Sequence, residues 1–187
     1  MDKDFLKKYL LDFSELMRPD DLILDQLIEI KQALINASSK GNKSLIFGNG
    51  GSAAIASHFS VDLTKNASIR CLNFNESDLI TCFANDYGFE NWVAKAIEFY
   101  GNQGDVLLVI SSSGKSKNMI NATASARAKK FSKIITLSGF EENNPLRKSG
   151  DINLWVNSTA YNFVENLHQI WLLSLVDLII GDKEYSA

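Results

Sequence analysis

Cysteine and histidine are scarce in this sequence, and neither type clusters. Two cysteines, Cys71 and Cys82, stand among 187 residues with no Cys-x-x-Cys pair, which excludes a disulfide framework. Positive charge is not in excess. The 19 lysines and arginines face 22 aspartates and glutamates, a net charge of −3, so bulk charge gives nucleic acid no footing. The first residues, Met1-Asp2-Lys3-Asp4-Phe5, are charged and then amphipathic, without the apolar core and small-residue cleavage site of a secretory signal. The apolar stretches read as too short to span a bilayer. These absences point to a soluble, cytoplasmic protein with no nucleic-acid and no membrane partner.

What is present is an ordinary globular mixture, 45% hydrophobic and 22% charged. The length suits one domain over residues 1–187, with N-terminal helices in 1–40 and an α/β core in 43–187. Phe5, Leu6, Tyr9, Leu10, Phe13, Leu16 and Met17 recur at helical spacing. Pro19-Asp20-Asp21 breaks the chain and opens a second helix, whose apolar positions are Leu24, Leu27, Ile28, Ala33, Leu34 and Ile35. Neither helix carries a chemical motif, so both read as packing or interface elements.

From Lys43 the pattern changes. Short apolar runs at 44–48, 69–73, 105–110, 133–138 and 151–156 alternate with helix-like segments at 52–64, 91–100, 116–131 and 145–149. This alternation predicts a three-layer, doubly wound, mostly parallel five-stranded sheet with helices on both faces. The segment 162–180 is apolar on nearly all sides, and a helix apolar all round is buried all round. It therefore predicts a homo-oligomer with this helix at its centre.

Two loops carry the chemistry. Gly48-Asn49-Gly50-Gly51-Ser52-Ala53-Ala54 follows the first predicted strand and opens a helix, where free N–H groups and the positive end of the helix dipole favour an anion. Its plain alternative is a tight strand-to-helix turn. Ser111-Ser112-Ser113-Gly114-Lys115-Ser116 stands likewise between a strand and a helix, and its hydroxyls and amides can satisfy several phosphate oxygens. Its plain alternative is a Ser-rich turn with an ordinary cap. Lys115 could add charge, in a direction the sequence does not give. Both loops fall at the carboxyl ends of their strands, where open α/β sheets bind ligands. The pair therefore reads as one site for a phosphorylated sugar. Gly48-x-Gly50-x-x-Ala53, with Glu76 after the second strand, also matches a relaxed dinucleotide fingerprint. That scheme has no place for the second loop, and no nucleotide cofactor is expected.

In these residues the chain resembles the sugar-isomerase (SIS) domain superfamily, and within it the phosphoheptose isomerases. The resemblance runs through Gly48-Asn49-Gly50-Gly51-Ser52, His58-Phe59, Asp62-Leu63-Thr64 and Ala84-Asn85-Asp86-Tyr87-Gly88-Phe89. It continues through Gly104-Asp105-Val106-Leu107-Leu108, the stretch 110–116 and Ile135-Thr136-Leu137-Ser138-Gly139. It implies a SIS-type, Rossmann-like fold and conversion of sedoheptulose 7-phosphate to D-glycero-D-manno-heptose 7-phosphate, toward surface polysaccharide such as lipopolysaccharide. It also implies a homotetramer, or at least a homodimer, and a Zn2+ ion. It places the sugar at Asn49, Gly50, Gly51, Ser52, Asn85 and Asp86, and the phosphate at Ser111, Ser112, Ser113 and Ser116.

Aldose–ketose exchange moves a proton between adjacent carbons through an enediol, and needs a base and a stabilised oxygen. The resemblance assigns metal to His58, Asp62 and Glu165, and catalysis to Asp62 and Glu165. His168 matches a family histidine without a settled role; three residues from Glu165, it can share a face with it and stand in as a catalytic group, the plain alternative for it and for His58 being a structural histidine. Here the chain departs from the family pattern. Asp62 stands for a glutamate, Glu165 for a glutamine, and Leu173 for a histidine that serves as ligand and acid or base; Ile55 and Ser57 replace residues that are often polar. Two readings follow. One is an isomerase in which Glu165 takes a larger role as base. The other is a phosphosugar-binding module that has lost the chemistry and serves a regulatory or protein-interaction role.

Overall fold

The structure, a computed structural model, describes residues 1–18 and 20–185; Pro19, the predicted breaker, lies outside the described residues. Helix α1 (Asp2–Leu16) and helix α2 (Asp21–Ser39) come first. The Asp20 carboxylate accepts a hydrogen bond from the Leu22 N–H at 2.9 Å and so caps α2.

Five strands follow: β1 (Ser44–Phe47), β2 (Cys71–Leu72), β3 (Val106–Ser111), β4 (Lys133–Ser138) and β5 (Ile152–Trp155). Between them run α3 (Gly51–Lys65), α4 (Ser77–Tyr87), α5 (Trp92–Tyr100) and α6 (Lys117–Ala128), and α7 (Tyr161–Ile180) closes the order. The strands stand in the order β2-β1-β3-β4-β5. Every pairing is parallel, so the expectation of a mostly parallel sheet sharpens to a fully parallel one. Its central strand, Val106-Leu107-Leu108-Val109-Ile110-Ser111, is buried along its whole length, as a strand covered on both faces must be. One face packs Leu34, Phe59, Leu63, Leu172 and Val176. The other packs Phe47, Trp92, Ile97, Met119 and Leu146.

The register is pinned at the amino ends of the strands. Asp105, fully buried, accepts from Lys43 Nζ at 2.6 Å, the Lys43 N–H at 3.1 Å and the Asn102 N–H at 2.8 Å. A buried carboxylate so paired holds β1 beside β3, and this alignment brings their carboxyl ends level.

Five points of the sequence reading need correction. The second strand shrinks to Cys71–Leu72. The segment 145–149 is not an α-helix but a short 3-10 turn, Arg147–Ser149, ended at Gly150, because so few residues cannot repay the cost of nucleating an α-helix. Helix α4 occupies a stretch that carried no helical expectation. Helix α7 is not buried all round: Val164, Leu167, His168, Leu172, Leu175 and Val176 are buried, whereas Ile170 and Leu178 are exposed. By length and composition α7 could cross a bilayer, contrary to the sequence reading, with a mean hydropathy of 1.4 over its apolar window. Its buried face lies instead in the core against α3 and α2.

Candidate functional site

In the order 2-1-3-4-5 the connections diverge between β1 and β3, and the crevice there is where such sheets take ligands. The two glycine- and serine-rich loops leave the carboxyl ends of these two strands. Each loop feeds a helix that has no side-chain cap, α3 behind Gly50 and α6 behind Ser116. Two helix N-termini with uncapped N–H groups therefore flank one crevice, an arrangement suited to anionic oxygens. Gly50 holds a φ of 56° with a ψ of −122°, a conformation that only glycine adopts at low cost.

The second loop is built from below. Ser111 and Ser112 are buried. Ser111 Oγ donates to Ser116 Oγ at 3.0 Å, on the α6 side, while Ser112 turns its hydroxyl to α7 and lies 3.5 Å from Glu165 Oε1. Ser113 Oγ accepts from the Lys115 N–H at 3.3 Å. Lys115 itself points outward to Glu141, at 2.7 Å. Gly114, at a φ of 65°, rests on the side chain of Asn144, and a methyl group there would overlap it. Asn144 is fully buried. It donates to Ser138 Oγ at 3.0 Å and the Glu141 carbonyl at 2.9 Å, and accepts from the Arg147 N–H at 2.9 Å. The Leu146 N–H donates to the Gly114 carbonyl at 3.0 Å. The sequence reading missed Asn144; its signal was the Asn-Pro pair, a turn former.

In the first loop the Asn49 side chain is engaged. Its Nδ2 donates to Asn118 Oδ1 at 3.0 Å, and Asn118 Nδ2 donates back to Asn49 Oδ1 at 2.8 Å. One N–H and one lone pair of Asn49 remain for a ligand. Ser52 is buried in the first turn of α3, its N–H donating to the Asn49 carbonyl at 3.1 Å. The Glu165 carboxylate covers Gly51, where a methyl group would overlap it. Glu165 thus stands at the junction of both loops.

Other expected residues lie elsewhere. Asn85 and Asp86 are exposed on α4 and bonded to each other at 2.9 Å, with no hydrogen bond to either loop. Glu76 precedes α4 and is exposed. Ile55 belongs to the core, and Ser57 Oγ donates to the Ala53 carbonyl at 3.1 Å and accepts from Asn75 Nδ2 at 2.8 Å, so both departures from the family pattern have structural work.

His168 requires a correction. It is fully buried, and its Nε2 lies 3.1 Å from the Ser138 carbonyl. A carbonyl only accepts, so Nε2 carries the proton; Nδ1 is buried without a partner. Burial pulls the imidazole down from 6.5 to about 4, against the opposing hydrogen bond to Ser138. It is a neutral core histidine and does not reach the crevice as an acid or base.

The expected metal donors are not brought to one point either. His58 Nε2 pairs with Asp62 Oδ2 at 3.3 Å on α3, and Gln169 Nε2 approaches His58 Nδ1 at 3.5 Å. Glu165 stands apart, over the first turn of α3. Among the described residues, no three histidine, cysteine, aspartate or glutamate side chains gather as a metal site, and Leu173 brings no donor. These residues do not fit a structural or catalytic zinc, which takes three protein ligands or more.

A cleft of about 530 Å3 lies beyond β5, lined by Leu16, Leu27, Trp155 and Trp171 among others. It holds none of the expected site residues.

Residues 20–139 match the model of the SIS domain. The chain is 38% identical over 148 residues to the phosphoheptose isomerase of Colwellia psychrerythraea, covering 74% of each chain. It is 30% identical over 188 residues to that of Pectobacterium atrosepticum, covering 96% of each. Among solved structures, a phosphoheptose isomerase from Francisella tularensis superposes with a TM-score of 0.89 at 27% identity, over 97% of this chain and 100% of that one.

Proposed function

The chain belongs to the SIS domain family and, within it, to the phosphoheptose isomerases, and from this premise we propose that it interconverts sedoheptulose 7-phosphate and D-glycero-D-manno-heptose 7-phosphate. The observation that carries the reading is the place of Glu165, whose carboxylate meets Gly51 of one loop and Ser112 of the other.

The roles divide across the second loop. The Ser111–Ser116 side, at the N-terminus of α6, takes the phosphate. Hydroxyls and backbone N–H groups there form charge-assisted hydrogen bonds. Ser112 and Glu165 lie on the other side of the loop, over α3 and α7. The reacting carbons sit there, a sugar's length from the phosphate. Glu165 removes the proton from one carbon and returns it to its neighbour, the hydroxyl proton passes from one oxygen to the other by way of water, and the free N–H groups at the start of α3 stabilise the oxygen that gains charge. Asp62, paired with His58 on α3, lies about three helical turns from Gly51 and has no part in this step. No step passes through a metal.

The reading carries a cytoplasmic location and a place in the synthesis of surface heptose. It also carries a homotetramer or homodimer, supported by the apolar residues that α1, α2 and α7 leave uncovered. Phe5, Leu6, Leu10 and Leu11 on α1, Leu22 and Ile28 on α2, and Ile170 and Leu178 on α7 are exposed. The test is incubation with sedoheptulose 7-phosphate, following aldose formation with and without added zinc. Turnover supports the isomerase. Saturable binding without turnover would replace it with a phosphosugar-binding module, the reading that Leu173 and the buried His168 favour.

A further inference from the structure

We propose that Asn118 is a positioning residue for the isomerisation, acting through Asn49; this rests on the isomerase reading above. The first loop has three residues between β1 and α3, Gly48, Asn49 and Gly50. Only one of them has a side chain beyond Cα, so Asn49 is the loop's only side-chain anchor. The residue next to it, Gly50, sits at a φ of 56°, where backbone preference alone holds nothing in place.

The anchor lies across the crevice. Asn118 belongs to the first turn of α6, and its side chain is 69 residues from Asn49 in sequence. The two carboxamides exchange both hydrogen bonds, at 3.0 and 2.8 Å, and Asn118 is 2% exposed. Asparagine is a poor helix former. On a face otherwise made of Met119, Ala122, Thr123 and Ala126, a carboxamide is explained by what it holds. A reciprocal amide pair is directional at both ends, so it fixes the loop's orientation as well as its distance. It thereby aims the N–H groups of Gly50 and Gly51 at the sugar while α6 meets the phosphate. Among the hydrogen bonds of the described residues, this pair alone joins a side chain of the first loop to the first turn of α6. Misplacement by about 1 Å at a reacting centre can cost on the order of a hundredfold in rate.

The test compares the full chain with Asn118→Ala, which removes both bonds and a third that Asn118 Oδ1 accepts from the Met119 N–H at 3.1 Å, and Asn118→Asp, which can accept from Asn49 and Met119 but not donate. The carboxylate also suits the N-terminus of α6, so this variant keeps the comparison if the alanine chain fails to fold. Backbone hydrogen exchange at residues 49–52 is expected to quicken in the order wild type, Asp, Ala. Asn118→Ala is expected to lower kcat by roughly ten- to a hundredfold, with KM for sedoheptulose 7-phosphate changed less than about threefold, because the phosphate grip is untouched. Unchanged exchange at these residues overturns the proposal, as does a purely KM effect. A wild-type chain that binds but does not turn over would count against the isomerase reading alone, since the exchange result is read without substrate.

Discussion

The Glu165 carboxylate stands 3.5 Å from the Ser112 hydroxyl, on the side of the second loop away from the Ser111–Ser116 pair. It has no cationic partner among the ion pairs of the described residues. An unpaired carboxylate at the meeting point of two ligand loops is placed to take a proton. Glu165→Gln keeps the shape and removes the basicity. It is expected to lower kcat by about a hundredfold or more while sedoheptulose 7-phosphate still binds. Solvent-deuterium incorporation into the sugar, followed by NMR, reads the same proton transfer directly.

The phosphate grip gives a separate signature. Ser113→Ala with Ser116→Ala is expected to raise Kd for sedoheptulose 7-phosphate about tenfold or more. A hydrogen bond to a charged group is worth roughly 1.5–3 kcal/mol, and about 1.4 kcal/mol is a factor of ten. Calorimetry against inorganic phosphate should show a parallel loss. Binding unchanged in both titrations would move the phosphate away from this loop.

Stability should fall with acid through His168. Its folded-state value, about 4, lies below the ordinary 6.5, so the unfolded chain binds the extra proton. The sign follows: the contribution is full above pH 6.5 and is lost as pH falls toward 4, by about 3 kcal/mol in all. Denaturant melts of the wild type should therefore steepen in their pH dependence over that window, and His168→Gln should flatten them.

Asn144 supports the Gly114 turn from beneath. Asn144→Ala would strand several buried partners, at about 3 kcal/mol, which for a chain of this size lowers Tm by roughly 6–12 °C. Phosphate affinity should weaken with it. Thermal melts with and without phosphate separate the two effects.

Assembly can be read by sedimentation. A mass of two or four times 20.8 kDa is expected. Ile170→Glu with Leu178→Glu, both on the uncovered side of α7, should lower it. A wild-type chain that sediments as a monomer at micromolar concentration would remove the oligomer.

Local periodicity carried much of this fold. Five apolar runs marked the strands, and the strand-loop-helix punctuation marked the two loops that lead into α3 and α6. What escaped was non-local. Asn49 and Asn118 lie 69 residues apart, and nothing in either neighbourhood announces the other. His168 misled because spacing of three suggests a shared face with Glu165. Two side chains so spaced diverge by about 60° around a helix, enough for one to meet Ser112 and the other the Ser138 carbonyl. Helix α4 is only three turns long, with Leu79, Ile80 and Phe83 as its apolar stripe, too few repeats for the helical period to stand out. In α7, the uniform apolar character hid a division that only packing reveals, between a core face and an uncovered one.

The pairing of β1 with β3 also bears on synthesis and lifetime. Lys43 and Asp105, which clamp those strands together, lie 62 residues apart. A nascent chain has no grip on its ligand until the second of the two strands has emerged and docked. Bound sugar phosphate therefore stabilises the finished sheet and does nothing for a partial one, by about 2.7 kcal/mol at a concentration a hundred times Kd. Cellular proteolysis that samples opened chains would then spare this protein when its metabolite is abundant and clear it when the supply fails.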